Sequence, residues 1–187
     1  MRFSELVSVI KEDFANYKRV ENRGFIVGLL FSPGFKYIFF MRLCTYFRHK
    51  KPAVLFLPIF LVLVFIYRHN SFKYGIEVPF KAKIGPGFYI GHFSCITMHG
   101  EAVLGDRVRI SQGVTIGYTS KGVPTIGNDV YIGAGAKIIG NVHVGNNVEI
   151  GANSVVTKDI PDNSVVVGVP GRVIRTKAFA VNSLTNA

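Results

Sequence analysis

Acidic residues are scarce in this chain, and cysteines scarcer. Only 11 Asp and Glu stand against 22 Lys and Arg, a formal charge of +11 over 187 residues. Between Arg23 and Lys73 there are eight basic residues and no acidic one. Two cysteines, Cys44 and Cys95, cannot build a disulfide scaffold and fit no metal-ligand spacing, so no metal and a reducing, cytoplasmic setting are expected. No signal peptide is expected either, because the first apolar run starts well inside the chain and lacks a small-residue cleavage site. Charged residues are 18% and hydrophobic ones 49%, too apolar a balance for a disordered chain.

The charge is unevenly placed. Residues 1–74 carry twelve Lys/Arg against four Asp/Glu, net +8, whereas residues 75–187 carry ten against seven, net +3. Phe3, Leu6, Val7, Ile10 and Phe14 recur at helical spacing, which predicts an amphipathic helix over 1–22. The most hydrophobic stretch is AVLFLPIFLVLVFIY at 53–67. As a helix it covers roughly 22 Å, short of a hydrocarbon core of about 30 Å, and Pro58 disturbs a spanning helix. Arg48, Lys50, Lys51 and Arg68 bracket it. Two uses of the segment stay open: peripheral contact with the inner face of the cytoplasmic membrane, or a buried helix at a domain end or subunit contact. A nucleic-acid partner is not expected, since the basic residues alternate with long apolar runs and no nucleic-acid motif is present.

From residue 84 the chain repeats every six residues. Aliphatic side chains occupy Ile84, Ile90, Ile96, Leu104, Ile110, Ile116, Ile126, Ile132, Ile138, Val144, Ile150 and Val156, and glycine follows eight of these twelve. A period of six fits neither helix nor coiled coil; it fits a parallel β-helix of hexapeptide repeats, with the aliphatic residues inward and glycine expected to relieve the corners. Two steps are longer: eight residues from Ile96 to Leu104, around Met98, His99 and Gly100, and ten from Ile116 to Ile126, within Tyr118–Val123. They lie in adjacent coils and are expected to flank one cleft. The chain is read as a helical, apolar-basic region 1–74, a β-helix over 75–161, and a C-terminal cap and tail over 162–187.

The stretches YGIEVPFKAKIGPGFYIGH (74–92), ISQGVTIG (110–117) and IGAGAKIIGNVHVGNNVEIGANSVVTKDIPDNSVVVGVPGRVIR (132–175) resemble the hexapeptide-repeat acyltransferases. The similarity is to the serine acetyltransferase-like branch, which includes enzymes that O-acetylate exopolysaccharides. It covers about residues 70–177 and implies a left-handed β-helix assembled as a homotrimer or dimer of trimers. It also implies acetyl-CoA as co-substrate, meeting the acceptor in clefts between neighbouring prisms.

Acetyl transfer to a hydroxyl needs a base, and imidazole, with a reference pKa of about 6.5, suits that task near neutrality. By the resemblance, His92 in GFYIGH matches the catalytic base. Glu77 stands where the family places an aspartate, as the carboxylate that orients the imidazole, with Glu101 as its fallback. His99 sits in the first insertion and is a candidate acceptor contact, with Glu101 beside it. Ala134 and Ala152, eighteen residues apart, match small positions that line coenzyme A. Thr157, Lys158, Arg172 and Arg175 match later coenzyme-contacting positions, and three cations suit an anionic nucleotide. A backbone N–H near Gly113 or Gly117 is expected to serve the oxyanion.

Two departures from serine acetyltransferases are visible. Their Arg-His pair before the proline that follows the loop is missing from Lys121-Gly122-Val123-Pro124, and their long helical N-terminal domain has no counterpart. The expectation is therefore a carbohydrate acceptor, a sugar hydroxyl of a capsule, exopolysaccharide or lipopolysaccharide precursor. Serine O-acetylation is the alternative, and a non-catalytic β-helical scaffold is the alternative of another class. A carbonic anhydrase of this fold needs three ligating histidines, and His92, His99 and His143 do not match its pattern.

Overall fold

In the computed structural model, which describes residues 2–48 and 50–177, four helices precede a three-sided prism. The helices are α1 (Phe3–Glu21), α2 (Phe25–Phe31), α3 (Pro33–Phe47) and α4 (Ala53–Tyr74). Strands are numbered in chain order, and up to β13 every third one stacks on the same face. The first face holds β1 (Ile76–Glu77), β4 (Ile96–Met98), β7 (Thr115–Gly117), β10 (Lys137–Ile139) and β13 (Val155–Val156). The second holds β2 (Lys83–Ile84), β5 (Val103–Leu104), β8 (Thr125–Ile126) and β11 (His143–Val144). The third holds β3 (Tyr89–Ile90), β6 (Arg109–Ile110), β9 (Tyr131–Ile132), β12 (Glu149–Ile150) and β14 (Ser164–Val167). All pairings are parallel except the last, where β15 (Arg172–Thr176) turns back antiparallel on β14. The chain is thus a parallel β-helix with an N-terminal helical region.

The register residues form the core. Ile110, Ile116, Ile126, Ile132, Ile138 and Ile150 are fully buried and stack coil upon coil, as the six-residue period requires. The ladder starts one strand earlier than the repeat suggests, because Ile76 pairs with Ile96, and on this face Met98 rather than Ile96 stands level with Ile116. The glycines after the register positions do not relieve corners as expected. The left-handed backbone falls two residues later, at Gly87, Arg107, Gly113, Asp129, Gly135, Asn147 and Asn153. The glycines after register positions answer a steric demand instead: a Cβ on Gly105 would meet the carbonyl carbon of Gly127 at 2.8 Å, and one on Gly127 would meet that of Gly145 at the same distance. Arg107, a long side chain at φ 55°, is held by two hydrogen bonds to Asp129 of 2.6 and 2.7 Å. That guanidinium also keeps the Asp129 carboxyl below its ordinary value.

The first coil leaves backbone donors and acceptors with no coil above them, and the helices satisfy these groups with side chains. Helix α1 forms as expected, yet Phe3 is exposed and its buried face is largely polar: Asp13, Asn16 and Tyr17 accompany Leu6. Asn16 Nδ2 donates to the Gly87 carbonyl at 2.6 Å. The Tyr17 hydroxyl donates to the Ile90 carbonyl and accepts from its N–H. From α3, Arg42 donates to the carbonyls of Ile84 and Gly85, both at 2.7 Å, and to Asp13 at 2.8 and 3.1 Å. Asp13 in turn accepts from the Phe88 N–H at 2.9 Å. Tyr37 of α3 and Tyr67 of α4 bracket the backbone of Val78. Burial pushes the pKa of Tyr17, Tyr37 and Tyr67 above the ordinary phenol value, so all three stay neutral donors. Burial likewise pushes the Cys44 thiol up to about 12.

Helix α3 comes so near the prism that Gly34 has no room for a side chain. A Cβ there would strike the Ile90 carbonyl and come within 2.6 Å of the Tyr17 hydroxyl. Gly34→Ala is expected to cost about 1–3 kcal/mol of stability despite the better helix propensity of alanine, checked by urea unfolding.

Candidate active site

The stacking of the third face decides what stands at its edge with the first. Ile90, Ile110, Ile132, Ile150 and Val166 are cross-strand partners in one line. Two residues beyond each come His92, Gln112, Ala134, Ala152 and Gly168, so one ladder brings His92 to the same edge as both alanines. Their sequence separations are unequal because coils differ in loop length. Arg172 is the antiparallel partner of Val167 and lies at this end of the strand, whereas Arg175 pairs with Val165, farther along. His92 is exposed. The turn that carries it into β4 has Ser94 and Cys95 at φ 94° and 55°.

The opposite edge of the first face carries the longer loop. Only the turn after β7 exceeds the six-residue step there: Met98, not Ile96, pairs with Ile116, so the two extra residues expected around Met98–Gly100 fall instead between Ile90 and Met98, in the turn that carries His92. The two insertions therefore do not share an edge, yet His99 meets the longer loop: its ring lies 4.8 Å from that of Tyr118. The Glu101 N–H donates to His99 Nδ1 at 3.3 Å, leaving Nε2 to carry the proton. Thr119 and Gly122 exchange two backbone bonds of 3.0 Å and stiffen the longer loop. A cleft of about 360 Å³ opens beside it, lined by Thr119, Ser120, Lys121, Ile139, Gly140 and Thr157. Thr157 and Lys158 follow β13 and fall on this edge.

The candidate residues therefore divide. His92, Ala134, Ala152 and Arg172 share one edge; His99, Glu101, Thr157 and Lys158 share the other, with the first face between them. Glu77 projects outward from β1, one coil above its partner Thr97. Among the described residues no hydrogen bond joins it to His92. It lines a hollow of about 410 Å³ with Arg48, Phe60, Tyr67, Arg68 and Phe80. Of the two places expected for an oxyanion donor, near Gly113 or Gly117, the Gly113 N–H itself is already bonded to the Ser94 carbonyl at 2.9 Å, and its carbonyl accepts from Lys137 Nζ at 2.6 Å. Sequence reasoning passed over Tyr118 and Gln112. The first lies in a loop of irregular length, and the second joins the His92 stack only through strand register.

Residues 124–158 match the bacterial transferase hexapeptide family (six repeats). The chain is 43% identical over 117 residues to a serine acetyltransferase of Synechococcus elongatus, covering 60% of this chain and 48% of that protein. It spans about half the length of the curated relatives it matches. The crystal structure of serine acetyltransferase in complex with coenzyme A from Brucella abortus strain S19 superposes with a TM-score of 0.79 at 31% identity, covering 94% of this chain and 70% of that one. That of the Neisseria gonorrhoeae enzyme in complex with serine superposes at 0.77 and 28% identity, covering 92% and 70%.

These findings overturn the expectation of a sugar acceptor. The capsule, exopolysaccharide or lipopolysaccharide reading rested on one missing Arg-His pair and a short N-terminal region. Both are local differences, whereas the similarity to serine acetyltransferases covers 60% of this chain in sequence and 94% in the superposed structure. A carbohydrate acceptor and a role in polysaccharide biosynthesis have no support among these relatives.

Proposed function

The chain belongs to the hexapeptide-repeat transferase family that includes the serine acetyltransferases, and from that premise we propose that it is an acetyl-CoA-dependent acyltransferase that O-acetylates L-serine. The observation that carries this reading is the edge on which His92, Ala134 and Ala152 stand in one ladder. A base is thereby set at the head of an edge that narrows, beyond Gln112, to the small residues Ala134, Ala152 and Gly168. Ala134, Ala152 and Gly168 leave space along the edge for an extended thioester arm, and Arg172 at the same end offers its guanidinium to phosphate oxygens. The residues present thus fit coenzyme A, which supplies an activated acetyl group when bound.

His92 takes the proton from the serine hydroxyl as its oxygen attacks the thioester carbonyl. When the tetrahedral intermediate collapses, the carbon–sulfur bond breaks and the imidazolium returns the proton to the leaving thiolate. Glu77, matched by the family resemblance, is the carboxylate proposed to orient the imidazole, and its side chain must swing out of the hollow beside Arg68 to reach it. One protomer separates the His92 edge from the edge of His99, Tyr118, Thr157 and Lys158. In a homotrimer of prisms the two edges of neighbouring subunits face one another, and the second edge then completes the cleft around acceptor and coenzyme.

Removing cations should act on binding alone. Lys158→Ala combined with Arg172→Ala is expected to raise the KM for acetyl-CoA roughly five- to tenfold with kcat nearly unchanged, because these contacts are the same in ground and transition states. Steady-state release of coenzyme A, with L-serine as acceptor, measures both constants and tests the proposed reaction directly.

A further inference from the structure

Helix α4 presents an apolar face that no described part of the chain covers. Val54, Leu55, Leu61, Val62 and Phe65 fall on one side of the helix and are each more than half exposed, Val54 at 85%. The opposite side, with Phe60, Leu63, Val64 and Tyr67, packs against the core. Cations stand at both ends of the stripe and several rest on aromatic rings. Lys50 Nζ lies 4.1 Å from the Tyr46 ring centre, and the Arg68 guanidinium lies 5.1 Å from that of Phe72. Lys51 and Lys73 are exposed beside them. From Asn22 to Ile76 the sequence has no acidic residue.

By length and composition α4 could cross a bilayer. Its last third is committed elsewhere, however. Tyr67, Asn70 and Tyr74 are buried, and the Tyr67 hydroxyl holds the Val78 carbonyl at 2.8 Å. Residues 53–66 remain, about 21 Å of helix, too short for a core of about 30 Å. We propose that α4 lies in the plane of an anionic membrane surface, its apolar stripe among the acyl chains and its flanking cations on the phosphates. Charge selects this occupant over a second copy of the chain, which would bring the same unbalanced cations to the contact.

The test uses the full chain with phosphatidylcholine vesicles prepared with and without phosphatidylglycerol, followed by co-sedimentation. Binding is expected on the anionic vesicles, at least about tenfold weaker on neutral ones, and falling with salt. Lys51→Gln and Lys73→Gln should each lower affinity about fivefold. Leu61→Ser, Val62→Ser and Phe65→Ser together should lower it at least about tenfold with an unchanged circular dichroism spectrum, since these side chains pack on little. The charge variants keep the test decisive should the apolar variant fail to fold. Three results overturn the proposal: no binding to anionic vesicles, equal binding by these variants, or dissociation of a lipid-free assembly by the apolar variant, which assigns the face to a second copy.

Discussion

Replacing His92 by alanine is expected to lower the turnover of acetyl-CoA with L-serine by about 10²- to 10⁴-fold, with little change in the KM for acetyl-CoA. The loss falls on kcat because the imidazole takes a proton only as the hydroxyl attacks, a contact that strengthens in the transition state. The residues proposed to bind coenzyme, Ala134, Ala152 and the cations, are left in place by this substitution. Secondary structure should be unaffected, since His92 is exposed and Ile90, two residues earlier, carries the stacking. Coenzyme A release at saturating serine is the measurement. An undiminished rate would remove His92 from the chemistry, and no turnover by the wild type with any hydroxyl acceptor would favour a β-helical scaffold.

The second large effect concerns stability. Arg42→Ala is expected to cost about 3–5 kcal/mol, because it strands the Asp13 carboxylate, 1% exposed, without its counter-charge. It also removes the donors to the Ile84 and Gly85 carbonyls at the open end of the first coil. In the wild type, burial raises the Asp13 carboxyl and Arg42 opposes the rise. Without the arginine, desolvation acts alone and the folded-state value climbs further above the unfolded one. A carboxyl raised in the folded state costs nothing below its unfolded pKa, and its cost grows as pH rises toward the folded value. The stability deficit of Arg42→Ala should therefore be smallest in acid and widen toward neutrality, measured by urea unfolding across that range. Arg42→Met with Asp13→Leu should lose less than the sum of the two single changes.

The prism was legible because its physics is local and repetitive. An inward aliphatic residue every six positions stacks on its counterpart in the next coil, so the register stated most of the core before any coordinates. It slips at Ile96, where Met98 stands level with Ile116, and Ile84 is only half-buried. Ile76 was missed for want of a full hexad around it. The corner glycines were placed correctly but explained wrongly, since coil-to-coil clearance is invisible in one strand. In the helical region the amphipathic pattern located α1, yet its buried face turned out polar. Asp13, Asn16 and Tyr17 are buried because they complete the backbone bonds of the end coil, a need that belongs to the prism rather than to the helix.

For the site, residue types and the family resemblance picked out His92, the alanines and the cations, while their division between two edges came from register. Loops of unequal length sit between successive coils, so separations along the chain do not measure positions around a prism. Glu77 shows the same limit: its spacing from His92 places it on the neighbouring coil, and only the strand pairing shows it projecting from the first face toward Arg68. The acceptor lay beyond both kinds of reasoning, because missing loop residues say what is absent and leave open what binds.

The scarcity of acidic residues before Lys73 and the unbroken aliphatic register are properties of composition and order, and the sequence alone determined them: a basic, apolar head on a β-helix. Tertiary structure decided which head residues face inward, which apolar side chains of α4 face outward, and which functional groups share an edge. Those assignments depend on how the helices meet the open end of the first coil. That contact joins residues some seventy positions apart, as Tyr17 and Ile90 are, and no local pattern encodes it.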